Sequence, residues 1–178
     1  MAAHLEGHEV VALDMVGLAQ KGGAVVSHLK LAPAGADTGS PRVAVGCADL
    51  LLGCDMVVAA GRTALPTAAP GRTAIIANTQ EVMTGAFTRD PDMSFPASKL
   101  TKALREAGRS LDLVEASRLA TGLMGDAIAA NLMMVGFAWQ RGLLPLSEAA
   151  IARAIELNGV QVAFNRQAFL WGRRIAHD

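Results

Sequence analysis

Short apolar runs bounded by turn residues dominate the first two thirds of the chain and predict strands. The run from Ala24 to Leu31 alternates, which predicts a half-exposed strand with Val25, Leu29 and Leu31 on the inward face and His28 and Lys30 on the outward face. Two other runs, Met56–Ala60 and Thr73–Ala77, are apolar on both faces, which predicts strands buried within a sheet. The predicted strands are Glu9–Leu13, Ala24–Leu31, Met56–Ala60, Thr73–Ala77 and Leu111–Val114.

Helical spacing and capping residues predict helices between these strands and throughout the last third of the chain. In the first two thirds of the chain we predict a helix that ends at Gly7, the helices Ala48–Cys54 and Gly61–Ala69, and a helix that is capped by Ser98 and ends at Gly108. The helix Ala116–Met124 follows, and then a buried helix that begins at Ala127. The last two are a helix capped by Ser147 and ended by Asn158-Gly159, and an amphipathic helix from Val160 to Ile175. The segments Ala32–Pro41 and Thr84–Pro96 are rich in Pro, Gly and Asp and are predicted loops.

This order of elements determines the expected fold class. Strands that alternate with helices and are followed by a helical tail are typical of an α/β protein with helices on both faces of a sheet. We therefore predict a three-layer α/β/α domain over residues 1–178, with a mainly parallel or mixed sheet and a helical C-terminal part.

Composition narrows the possible functions. Hydrophobic residues make up 52% and charged residues 18% of the 178 residues, which excludes disorder and indicates that partners cover part of the surface. A net charge of zero and an aromatic content of 4% argue against a nucleic-acid partner. The longest apolar stretch, Ala127–Trp139, is too short to span a bilayer, and no signal peptide is visible, so we expect a cytoplasmic protein.

The two cysteines do not form a recognisable metal site. Cys47 and Cys54 are separated by six residues, and zinc or an iron–sulfur cluster usually needs four ligands. We predict reduced cytosolic thiols, no metal ligands and no catalytic residue on this chain. No nucleophile elbow, Walker loop or dinucleotide fingerprint is present in the sequence.

The stretch Gln20-Lys21-Gly22-Gly23, between two predicted strands, is the best candidate for a ligand-facing loop. Gly22 and Gly23 allow positive φ angles and close approach of another molecule, and the Lys21 ammonium adds a positive charge. The residues alone leave two interpretations open. One is a site for a phosphate, a carboxylate or an acidic group of a partner, and the other is a tight turn with a solvated lysine.

A few polar residues in apolar surroundings are further candidates. Asn78 and Thr79 follow a predicted buried strand, at the end where open α/β sheets usually bind ligands. Asn131 lies inside an apolar helix, where a buried amide would satisfy a neighbouring loop or reach a ligand. His28 is either an exposed or interface strand residue or a general base.

Several blocks of the sequence, spread over essentially the whole chain, resemble one known family. They are Val11–Met15 followed by Gly17–Gly23, Ala48–Asp55, Asn78-Thr79, Phe87–Asp92, Ala138–Leu143, Ala154–Val160 and Asn165–Arg174. These blocks resemble the gamma domain of 2-oxoacid:ferredoxin oxidoreductases, and most of all its indolepyruvate branch. Related enzymes carry Arg-Gly-Gly in place of Lys21-Gly22-Gly23.

The resemblance implies that this chain is part of an enzyme that oxidatively decarboxylates an aryl 2-oxoacid to its acyl-CoA and passes the electrons to ferredoxin. It implies thiamine diphosphate and [4Fe–4S] clusters on partner subunits or domains, coenzyme A as co-substrate and no cofactor bound by this chain alone. Gln20, Lys21, Gly22 and Gly23 would then face coenzyme A in a site completed by partners, with Asn78, Thr79 and Asn131 as further lining residues.

The sequence departs from the family pattern in one respect. Family members begin with a strand and a glycine-rich turn that precede the helix ending here at Gly7, so we expect an N-terminally short gamma domain or a segment of a fused chain. Two other functions remain open from the sequence. They are a stand-alone coenzyme A- or nucleotide-binding module, and a structural scaffold without a ligand site.

Overall fold

The computed structural model describes residues 1–16, 24–81 and 95–177. Within these ranges the strands are β1 (Glu9–Val16), β2 (Val25–Ala32), β3 (Leu50–Gly53), β4 (Ala74–Asn78) and β5 (Ser110–Val114). The α-helices are α1 (Ala2–Leu5), α2 (Met56–Ala59), α3 (Ala97–Ala107), α4 (Ala116–Met124), α5 (Ala130–Gln140), α6 (Glu148–Asn158) and α7 (Val162–Ile175). Short 3-10 helices cover Leu65–Thr67 and Ala127–Ala129. No helix in the described ranges is long and apolar enough to cross a membrane.

The chain divides into two compact units. The first consists of Met1–Leu13, Ser27–Val43 and Ala116–Asp178, as far as these residues are described. The second consists of Asp14–Val26 and Ala44–Glu115, with the same restriction. That residues 1–178 form one domain stays a prediction.

A parallel sheet forms the centre of the second unit. Its strand order is β3-β4-β5, and the register aligns Leu51 with Ile75 and Ile75 with Leu111. Apolar side chains of α2 and α3 cover the face of the sheet that carries Ile75 and Ala77. All five residues of β4 are buried, as expected for a strand paired on both sides.

Close packing of α5 against α7 forms the core of the first unit. The two helices approach so closely that a Cβ on Gly136 would overlap the Phe169 carbonyl, and one on Gly172 would overlap the Met133 carbonyl. Backbones can approach this closely only where the side chain is a hydrogen atom. The buried residues around this crossing are Met133, Met134, Phe137, Ala138, Ala168 and Phe169.

The predicted α/β fold class is confirmed, and the structure is consistent with a three-layer fold. Helix ends that depend on local signals are also confirmed. Ser147 caps α6 by accepting the Ala150 N–H at 3.1 Å, and Gly125 and Gly159 follow their helices with positive φ angles.

Two neighbouring segments were assigned the wrong structure from the sequence. Ala48–Cys54, predicted as a helix, contains the strand β3, because its leucines pair with β4 in the parallel sheet. Met56–Ala60, predicted as a strand, contains the helix α2, because the Asp55 side chain accepts the N–H groups of Val57 and Val58. Both errors arose where short apolar runs fit either structure.

Other details also differ from the predictions. The helix predicted for Gly61–Ala69 is only the 3-10 turn Leu65–Thr67. Ser98 lies inside α3, whose N-cap is Pro96. The faces of β2 are reversed, because His28 is buried while Leu29 is 57% exposed. Most of the predicted loop Thr84–Pro96, residues 84–94, lies outside the described residues.

Candidate functional site

The strongest sequence candidate, Gln20-Lys21-Gly22-Gly23, lies outside the described residues. The structure does describe the strands on either side of it in sequence, β1 and β2, which pair in a two-stranded sheet. Three large apolar side chains of these strands are solvent-exposed: Val16 by 68%, Val25 by 55% and Leu29 by 57%. The candidate loop is therefore flanked by strands that present apolar side chains to solvent.

The other strand-end candidates lie at the carboxyl edge of the parallel sheet. Asn78 is the last residue of β4, and its side chain is buried. Its Nδ2 donates to the Cys54 carbonyl at 3.1 Å, and its Oδ1 accepts the Gln80 N–H at 3.4 Å. The Asn78 amide thus ties the end of β4 to the turn that follows β3.

Thr79 fixes the other side of this edge. Its backbone N–H donates to the Val114 carbonyl, the last of β5, at 2.9 Å. Its hydroxyl lies 3.5 Å from the same oxygen. Asn78 and Thr79, consecutive in sequence, therefore hold together the carboxyl ends of all three parallel strands. In an open α/β sheet, this edge is the usual place for a ligand.

The sequence analysis missed the dipeptide that follows β3, Cys54-Asp55. Asp55 caps α2 through hydrogen bonds of 2.7 Å and 3.1 Å to two backbone N–H groups. Burial, and secondarily the Asp55 carboxylate, raise the pKa of the Cys54 thiol. Cys54 is thus a poor nucleophile at neutral pH. The signal available in the sequence was an acidic N-cap residue directly before an apolar run.

The chemistry of this edge favours binding over proton transfer. Its described polar groups are an amide, a hydroxyl, a neutral thiol and a carboxylate that is engaged as a helix cap. Within the ranges that the structure describes, no group of three His, Cys, Asp or Glu residues is placed to hold a metal ion. The carboxyl edge can orient a ligand or a partner's backbone through hydrogen bonds.

The inference that the Asn131 amide is buried is wrong. Asn131 is in the first turn of α5 and is exposed, because the buried stripe of that helix runs through Ala130, Met133, Met134 and Phe137. An exposed amide needs no internal partner, so the argument from burial no longer applies. Any role of Asn131 in binding stays a proposal.

Replacing Asn78 with alanine is expected to lower the free energy of unfolding by about 1–3 kcal/mol, because the buried Asn78 amide no longer donates to the Cys54 carbonyl. Urea denaturation of the two proteins measures this difference. Thr79→Ser is the matched control, since it keeps the backbone bond to Val114 and the hydroxyl. Equal stabilities of Asn78→Ala and Thr79→Ser would contradict the role assigned to the Asn78 amide.

Comparison with known proteins places this geometry in a family. A sequence profile of the family described as pyruvate ferredoxin/flavodoxin oxidoreductase matches residues 1–175. The gamma subunit of a keto/oxoacid ferredoxin oxidoreductase from Geobacter sulfurreducens PCA has a similar fold, with a TM-score of 0.65 and 18% identity over 99% of this chain and 85% of that one. A pyruvate oxidoreductase subunit from Thermotoga maritima has a TM-score of 0.61 and 16% identity over 97% of this chain and 83% of that one.

No curated protein matches the chain. At such low identity the two solved structures show the fold alone, whereas the profile match extends over nearly every residue. The chain belongs to the pyruvate ferredoxin/flavodoxin oxidoreductase family.

Proposed function

We propose that the chain is the gamma subunit, or gamma domain, of a 2-oxoacid:ferredoxin oxidoreductase. The observation that carries this proposal is the family match over residues 1–175, together with a fold similar to that of a gamma subunit over 99% of the chain. The reaction is the oxidative decarboxylation of a 2-oxoacid to its acyl-CoA, with electrons passed to ferredoxin. The indolepyruvate-like sequence blocks support an aryl 2-oxoacid as substrate.

The cofactors of this reaction are proposed to lie on partner subunits or domains. The donor set of this chain does not fit a [4Fe–4S] cluster, because its only two cysteines are too few. Thiamine diphosphate supplies the electron sink for decarboxylation when it is bound to its own subunit. The apolar side chains exposed on β1 and β2 support a partner surface here, since burying them would be favourable.

The contribution of this chain to the site is proposed to be the segment Gln20-Lys21-Gly22-Gly23. The Lys21 ammonium would attract a phosphate of coenzyme A, and the two glycines would let the ligand approach the backbone. Asn78 and Thr79 are proposed to line the site from the carboxyl edge of the parallel sheet. The exposed Asn131 amide is available to a ligand or a partner.

Co-expression with the thiamine-binding and iron–sulfur subunits tests this proposal. The expected result is a complex that survives gel filtration and oxidises an aryl 2-oxoacid with a higher kcat/KM than pyruvate. Absence of a complex, combined with tight calorimetric binding of coenzyme A by the isolated chain, would favour a stand-alone binding module. If the chain neither formed a complex nor bound coenzyme A, both the subunit function and the stand-alone binding function would be contradicted.

The apolar side chains exposed on β1 and β2 allow a direct test of the proposed partner surface. Leu29→Asp on β2 is expected to weaken the complex by about tenfold or more, because a charge would have to lose its water at the interface. Leu157→Asp on α6 is the matched control, since Leu157 is 48% exposed on a different element. Equal dissociation constants for the two variants would argue against an interface on β1 and β2.

A further inference from the structure

An open cleft of about 370 Å³ lies along the last turns of α7, within the first unit. It is lined by Gln140, the last residue of α5, and by Leu170, Arg173, Arg174 and His177. The last four are spaced as i, i+3, i+4 and i+7, so they share one face of α7 and of the turn that follows it. Two guanidinium groups and an imidazole therefore meet at one opening, which we call the arginine cleft.

Three contacts hold the Arg173 side chain in position. Its Nε donates to Gln140 Oε1 at 3.1 Å, and its Nη1 lies 2.6 Å from Glu148 Oε1. Its Cζ lies 4.6 Å from the centre of the Trp139 ring. These contacts use two of the three guanidinium nitrogens, and Nη2 makes no hydrogen bond to the residues that the structure describes. The two N–H groups of Nη2 can therefore donate to a ligand.

The Arg174 side chain is held in a different way. Its Cζ lies 5.0 Å from the centre of the Trp171 ring, and the residue is exposed. A guanidinium that stacks on an aromatic ring keeps its N–H edges available for hydrogen bonds. Within the described part of the chain, Arg174 forms no ion pair. Both arginines of the cleft are thus pre-positioned by an indole ring, which lowers the entropy lost on binding an anion.

Positive charge is in excess around the arginine cleft. Residues 127–177 contain five arginines, no lysine, no aspartate and only two glutamates, although the whole chain has no net charge. Both glutamates lie within 3.2 Å of other arginines: Glu148 near Arg173, and Glu156 near Arg153 and Arg166. The carboxylate next in sequence, Asp178, lies outside the described residues. No described carboxylate of this segment is left to pair with Arg174.

Helix capping does not account for the two arginines. Cations in the last turn of a helix often bond to its final carbonyls. In α7 backbone groups make such bonds, since the Ala176 N–H donates to the Gly172 carbonyl at 3.2 Å and the His177 N–H donates to the Arg174 carbonyl at 3.0 Å. The described contacts of both guanidinium groups are with side chains instead.

We propose that the arginine cleft binds the phosphate group of a small ligand. The planar N–H edges of arginine match the oxygens of a phosphate. A phosphate monoester has three terminal oxygens, so it can accept from Arg173 Nη2, from Arg174 and from the imidazole of His177 together, whereas a carboxylate has only two oxygens. Leu170, which is 46% exposed beside the arginines, offers an apolar contact to the rest of the ligand. This site is separate from the proposed coenzyme A contact and does not depend on the proposed function.

Calorimetric titration of the full chain with pyrophosphate at low ionic strength tests the proposal. Arg174→Gln is expected to raise the Kd about tenfold or more, the loss expected for one charge-assisted hydrogen bond. Arg166→Gln is the matched control, because it removes the same charge from an exposed position on α7 that does not line the cleft, and its Kd is expected to stay close to that of the unmodified chain. Equal Kd values for the two variants, or no binding of pyrophosphate, would overturn the proposal and leave the subunit assignment intact.

Two further titrations separate a phosphate site from other sources of negative charge. Hexaglutamate, which carries carboxylates without phosphate, is expected to bind at least about tenfold more weakly than pyrophosphate. Tighter binding of hexaglutamate would overturn the proposal in favour of an acidic peptide. Asp178→Asn removes the carboxylate four residues after Arg174 and is expected to bind pyrophosphate at least as tightly as the unmodified chain. Loss of binding in Asp178→Asn would also contradict the proposal.

Discussion

Replacing Gly172 with alanine is expected to lower the free energy of unfolding by about 3 kcal/mol or more. The added Cβ would overlap the backbone carbonyl of Met133 on α5, so no side-chain rotation can relieve the clash. The two helices would have to move apart, which opens the core around Met134 and Ala168. Urea or thermal denaturation measures the loss.

Gly122 provides a matched control within the same unit. It lies in α4, and a Cβ added there meets nothing within 4 Å. Gly122→Ala is therefore expected to stabilise the protein by about 0.5–1 kcal/mol, because alanine favours the helix. Equal stabilities of the two alanine variants would contradict the close packing described for the backbones of α5 and α7.

Replacing Lys21 with alanine is expected to raise the KM for coenzyme A of the assembled enzyme by about 10- to 100-fold, the range for losing one charge-assisted hydrogen bond. The KM for the 2-oxoacid is expected to change little, because the proposed contact is with the phosphates of coenzyme A. Steady-state kinetics at varied coenzyme A concentration measure both constants.

Lys99 is the control for this charge. It lies exposed on α3, and Lys99→Ala removes the same charge from an element outside the proposed coenzyme A contact. Kinetics identical to those of the unmodified enzyme are expected. A normal KM for coenzyme A in Lys21→Ala would reject the loop as a coenzyme A contact while leaving the subunit assignment intact.

Signals within a few residues predicted much of the fold. Ser147 caps its helix, and Gly125 and Gly159 end theirs, because a cap requires only a side-chain oxygen or a tolerated positive φ at one position. The strand β4 was also predicted, as Thr73–Ala77, from a short apolar run flanked by turn residues, and it is observed as Ala74–Asn78. These choices do not depend on distant parts of the chain.

The errors occurred where distant contacts decide the structure. The leucines of β3 follow one another directly and suit a helix or a strand, and their pairing with β4 determines the outcome. The alternation in β2 correctly predicted two faces, but the wrong face was assigned to the interior. His28 accepts the Val43 N–H, a contact between residues 15 positions apart that no local pattern shows.

The sequence likewise predicted some residues of the candidate site correctly and missed or misplaced others. The positions of Asn78 and Thr79 at the carboxyl edge follow from the end of β4, a local feature that the sequence contains. Cys54 joins that edge only because β3 is a strand, so the wrong assignment of that segment hid it. Asn131 was assigned to a buried position because the helix pattern did not reveal which side of α5 meets α7.

The central claim is that this chain completes a 2-oxoacid oxidoreductase whose cofactors are carried by partners. The rate of coenzyme A-dependent acyl-CoA formation by the partner subunits, measured with and without this chain, tests that claim most directly. The account predicts sustained formation of acyl-CoA and reduced ferredoxin only when the chain is present. An equal rate of acyl-CoA formation in its absence would contradict the account.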